Sequence, residues 1–137
     1  MKTLIFILLF SLGATVQAQI VDLYKQPANQ VVKQQEAALR HVVLFKFRAD
    51  TRSDTIRKIE KAFNALPGEI PEIRGFEWGI NNSPEGADKG FTHCYLLTFS
   101  SEEDRATYLP HPKHKAFGAL LSPWLEDVLV VDYWNNK

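Results

Sequence analysis

The sequence predicts an α+β domain of order β-α-β-β-α-β, the ferredoxin-like plan of a four-stranded antiparallel sheet with helices on one face. Three observations carry this prediction. Stretches rich in β-branched and aromatic residues recur at His41–Arg48, Phe76–Asn81, Phe91–Phe99 and Val128–Trp134. Helical signals, with apolar residues three and four apart, fill the first and third gaps between them. The second gap, Asn82–Gly90, is rich in turn residues and joins its flanking strands as a long hairpin.

Each element has its own local cause. His41–Arg48 (HVVLFKFR) is apolar on both faces, so both are expected to be covered. In Ser53–Leu66, Ile56, Ile59, Phe63 and Leu66 form one stripe, with Arg57, Lys58, Glu60, Lys61 and Asn64 outside it; Pro67-Gly68 is expected to stop the helix. Phe76, Trp78 and Ile80 share one face of the second strand. In the third, Phe91, His93, Tyr95, Leu97 and Phe99 share one face and Thr92, Cys94, Leu96 and Thr98 the other. Ser101 is the expected cap of the next helix, with Asp104 three residues on. That helix breaks at Pro110, resumes at Pro112 and ends near Ser122, before Pro123. Strands one, three and four are apolar on both faces, yet helices cover only one side of such a sheet. The uncovered face is expected to meet a second copy, giving a homodimeric two-sheet α/β barrel.

Composition narrows the function classes. Sixteen basic residues balance sixteen acidic ones without a long run of either sign, which argues against nucleic acid as a partner. The one cysteine, Cys94, forms no internal disulfide and falls inside an apolar strand, as a structural thiol would. Met1–Ala18 has the form of a secretory signal peptide: Lys2, then Leu4–Phe10 with Leu12, then Val16-Gln17-Ala18. The apolar run is too short for the roughly 20 residues of a membrane span, so the chain is expected to be exported, periplasmic or secreted, without a membrane anchor after cleavage. Residues 19–40 then form a leader without a clear apolar stripe, ahead of a domain over 41–135.

The candidate chemistry gathers at Tyr108-Leu-Pro-His-Pro-Lys-His114. Pro110 and Pro112 force a kink, leaving His111 near an N-cap. His114 leads a stripe through Phe117 and Leu121, so its ring is expected to point inward. An imidazole beside a tyrosine suits acid–base work: it removes a proton α to a carbonyl while the hydroxyl steadies the oxyanion. The same residues also suit a bonded core histidine under an amphipathic cap. A metal held by His111 and His114 lacks further ligands nearby in sequence, and none is expected.

The stretches HVVLFKF (His41–Phe47), Gly90-Phe-Thr-His93, Tyr108 with His111-Pro-Lys-His114, and the closing Asp132-Tyr133 resemble the stress-responsive α/β-barrel (Dabb) family over roughly His41–Trp134. The resemblance implies a dimeric α/β barrel of ferredoxin-like subunits. One plant branch of that family contains polyketide cyclases that close a ring by intramolecular aldol condensation. By this resemblance His114 and Tyr108 are the candidate acid–base pair, with His41 assisting. His93 also matches a cyclase histidine, and His93, His111 and Phe117 are candidate ligand contacts. His41 and His93 start antiparallel neighbours, which separates them by about 20 Å and argues against a single four-histidine cluster in one subunit. The expected activity is cofactor-independent binding, or lyase- or cyclase-like turnover, of a small hydrophobic carbonyl or aromatic compound. The alternative is a structural or stress-protective dimer without catalysis.

Overall fold

The computed structural model describes residues 37–135. The signal peptide and nearly all of the leader expected at residues 1–40 lie outside the described residues. The elements are β1 (Leu39–Phe47), α1 (Ser53–Glu69), β2 (Gly75–Ile80), β3 (His93–Phe99), α2 (Glu102–Tyr108), α3 (Pro112–Leu121), a short 3-10 turn (Ser122–Trp124) and β4 (Leu125–Trp134). The four strands form one sheet in the order β2-β3-β1-β4, every neighbouring pair antiparallel. The chain has the ferredoxin-like α+β fold.

Local signals placed most boundaries. The Ser101 hydroxyl accepts from the Asp104 N–H at 3.1 Å, and the Asp104 carboxylate accepts from the Ser100 N–H at 3.2 Å, closing the start of α2. Pro112 opens α3, with His111 as its N-cap. Three differences stand out. α1 continues past Pro67 to Glu69, because one more turn seats Ile70 in the core one helical repeat beyond Leu66; both are buried. β1 begins two residues before His41, making His41 its third residue rather than its first. β4 begins at Leu125, directly after the 3-10 turn, rather than at Val128.

The core lies between the helices and one sheet face. Cross-strand register puts Val43 opposite Tyr95, and Phe45 opposite His93 and Val128, so odd positions of β1 and β3 and even positions of β4 share the helix side. Phe45, Phe63, Tyr95 and Phe117 interlock there, with Phe63 centred 4.2 Å from Tyr95 and 4.5 Å from Phe117. On the other face Val42, Leu44, Cys94 and Leu96 are half-buried, and Leu129, Val131 and Tyr133 are exposed. The Cys94 thiol therefore stands on the uncovered face, only half-buried, where burial pushes it up from its ordinary value.

Candidate active site

A cavity of about 460 Å³ opens between α3 and the helix side of β1 and β4. That volume falls in the roughly 300–1,000 Å³ range of small-molecule sites. Its floor and walls are apolar, chiefly Val43, Phe45, Phe63, Phe117, Leu121 and Val130, and its polar side chains are His41, Tyr108, His114, Ser122 and Asp132. The kink between α2 and α3 puts Tyr108 at the end of one helix and His114 in the first turn of the next, their rings centred 4.2 Å apart. His41 meets the Tyr108 ring edge-on at 5.9 Å. The residues predicted from sequence as His114, Tyr108, His41 and Phe117 thus meet in one place.

Both cavity imidazoles are anchored through the same ring nitrogen. His114 Nδ1–H donates to the Leu109 carbonyl at 2.9 Å, and His41 Nδ1–H donates to Asp132 Oδ1 at 2.7 Å. Each bond calls for a proton on Nδ1, so that in the neutral ring Nε2 carries the lone pair, and neither Nε2 finds a partner among the described residues. Asp132 is held in turn: its Oδ2 lies 3.2 Å from Arg105 Nη1 on α2. Tyr108 is 1% exposed, and burial pushes its phenol well above the ordinary range, so it remains a proton-bearing donor at neutral pH. Among the described residues no group accepts from or donates to its hydroxyl.

The two other sequence candidates stand apart. His93 lies opposite Phe45, four positions along β1 from His41, or about 13 Å rather than 20 Å at the strand repeat. It shares the helix side but is engaged at both nitrogens: Nδ1 with Thr92 Oγ1 at 2.8 Å and Nε2 with Glu60 Oε1 at 3.0 Å. Glu60, expected on the solvent face of α1, turns inward to make that bond, leaving its side chain 18% exposed. His93 instead borders an open depression of about 580 Å³ between the 81–92 hairpin and the uncovered sheet face. His111 is spent as a cap, its Nδ1 accepting from the Lys113 N–H at 3.2 Å. Among the described residues no group of three His, Cys, Asp or Glu is placed to hold a metal ion.

Sequence reasoning gave no role to Asp132 or Arg105. A signal for Asp132 existed: Val128, Val130, Asp132 and Trp134 fall on one face of β4, and a carboxylate on an apolar face needs a partner. Arg105 carried no such signal, since its contact depends on where α2 crosses the sheet.

Comparison with known proteins agrees with this architecture. Residues 39–135 match the model of the stress responsive A/B barrel domain. The chain is 28% identical over 100 residues to olivetolic acid cyclase from Cannabis sativa, covering 73% of this chain and 99% of that protein. The structure of a hydroxynitrile lyase from Passiflora edulis superposes with a TM-score of 0.69 at 27% identity, covering 73% of this chain and 94% of that one. A dimeric protein of ferredoxin-like fold from Bacteroides fragilis is 31% identical, with a TM-score of 0.58 over 70% of this chain and 94% of that one. With a family model spanning all four strands and three helices, the chain belongs to the stress responsive A/B barrel domain (Dabb) family.

Proposed function

We propose that this chain forms a homodimer whose cavities each take a small apolar carbonyl compound and act on it by cofactor-independent acid–base chemistry of the lyase or cyclase type. The observation that carries the reading is the pair of anchored imidazoles. His41 and His114 are both tied at Nδ1 and both keep an unengaged Nε2 at a cavity whose walls are mostly apolar. A substrate carbonyl held there meets a base at His114 Nε2, which takes a proton from the carbon or hydroxyl next to it. The Tyr108 hydroxyl donates to the oxygen on which charge develops, and His41 serves as the second proton carrier. Relatives named as a cyclase and a lyase support chemistry of this kind. The half-exposed apolar face of the sheet and the dimeric relative support the homodimer. We also take Met1–Ala18 as an export signal, which would place the site in the periplasm or medium.

The test is exchange of the α-protons of acetophenone in D2O, a reaction that needs only a base and an oxyanion donor. The chain is expected to accelerate it, and His114→Ala to remove about 10²–10⁴-fold of the acceleration. Tyr108→Phe should cost on the order of 10²-fold. Equal rates in all three proteins would refute the proposal. One observation favours the structural alternative: His114 Nδ1 holds the Leu109 carbonyl at the Pro110 break. On that reading the native chain is inert toward acetophenone, and His114→Ala costs only stability, about 1–3 kcal/mol.

A further inference from the structure

We infer that Arg105 is a positioning residue of the proposed site, clamping the far oxygen of Asp132 so that the near oxygen holds the His41 ring in one tautomer and one orientation. The inference rests on the acid–base reading above for its purpose, and on geometry alone for its mechanism. β4 is an edge strand whose helix-side face borders the open cavity, and Val128, Val130 and Trp134 are each 40–47% exposed. A carboxylate on such a strand has little packing to fix its torsions, and the Asp132 side chain is itself 33% exposed. Left with the His41 bond alone, Asp132 is free to rotate and exchange that bond for water. Arg105 removes this freedom. Its Nη1 lies 3.2 Å from Oδ2 while Oδ1 stays 2.7 Å from His41 Nδ1, so the carboxylate is held at both oxygens. The two charges are 25% and 33% exposed, less screened than a surface pair.

The clamp also has a second end. Arg105 stands three residues before Tyr108 on α2, a helix of only seven residues, so both side chains leave the same side of one turn. Among the described residues this ion pair is the polar tie between α2 and β4. Arg105 therefore fixes the position of Tyr108 relative to His41, two groups contributed by different layers of the fold. Nothing in this arrangement brings Arg105 to the cavity lining, so it acts through Asp132 and Tyr108 rather than on the ligand.

The test follows the His41 ring directly, without substrate. In the 15N-histidine-labelled chain, long-range nitrogen–proton spectra should show His41 as a single Nδ1–H tautomer. Arg105→Met should populate a second tautomer and speed loss of the Nδ1 proton to solvent. Arg105→Lys, which keeps a cation, should recover most of the native pattern, and Arg105→Gln serves if the methionine variant does not fold. In an Asp132→Asn background, Arg105→Met should add no further change. Where the native chain exchanges acetophenone protons, Arg105→Met should lower that rate on the order of tenfold to a hundredfold at saturating acetophenone. A folded Arg105→Met or Arg105→Gln variant with the native His41 tautomer overturns the inference, whatever happens to stability. A native chain inert toward acetophenone would instead count against the acid–base reading, and the tautomer result would still decide the role of Arg105.

Discussion

His41 and His93 make a matched pair. Each is 5% exposed, each points to the helix side from a central strand, and each bonds a carboxylate from a neighbouring element. They differ in what the second ring nitrogen meets. His93 is closed at both nitrogens, by Thr92 and Glu60, and packs edge-on to Phe47 at 5.1 Å. His41 is closed at one and leaves the other at the cavity. A buried histidine with every donor and acceptor satisfied stabilises a fold, whereas one with a nitrogen held in reserve keeps the capacity to bind or transfer a proton. Burial alone does not separate the two, and neither does having a carboxylate partner.

The sharpest way to break this comparison is to remove each ring and compare stabilities. His93→Ala strands the largely buried Glu60, 18% exposed, which has no other ion-pair partner among the described residues. The loss in denaturant titration is expected to be about 3 kcal/mol. His41→Ala should cost less, about 1–2 kcal/mol, because Asp132 remains paired with Arg105 and is open to water. Losses in the reverse order would undo the distinction.

That contrast marks what was legible in the sequence. The Ser101 cap, the Pro110 break and the Pro112 start are written within a few residues of where they act, and the structure has all three. The inward turn of His114 followed from its spacing to Phe117 and Leu121, and all three line the cavity. The partners that separate His41 from His93 are not local: Asp132 is 91 positions away and Glu60 is 33. They depend on strand register and on a helix angle, which periodicity does not encode. Glu60 misled for the same reason, since its place in the helix pattern gives a direction for the Cβ and not for the end of a long side chain.

A smaller effect sharpens the comparison at the tyrosines. Burial, with the Glu60 charge adding to it, pushes the Tyr95 phenol far up, and burial alone does the same for Tyr108. Both phenols stay neutral in the fold while the unfolded chain ionises near the ordinary value of 10. Their contribution to stability is therefore intact below about pH 10 and lost as pH rises beyond it toward the raised folded values. Substituting either tyrosine by phenylalanine should flatten the fall in stability above pH 10, as followed by thermal melts. At neutral pH the two should part company. The buried Tyr95 hydroxyl has no partner, so Tyr95→Phe should gain about 1 kcal/mol. Tyr108→Phe should leave stability nearly unchanged, since Tyr108 lines the cavity and its hydroxyl, unlike that of Tyr95, is not a fully buried group without a partner.

His41 and His114 are proposed to face a ligand, and His93 and His111 are not. Titrating acetophenone into the 15N-histidine-labelled chain tests this assignment most directly, because all four histidines report in one spectrum. The Nε2 resonances of His41 and His114 should move together and saturate, while those of His93 and His111 stay in place. Movement of His93 or His111 with His41 and His114 unchanged would contradict it.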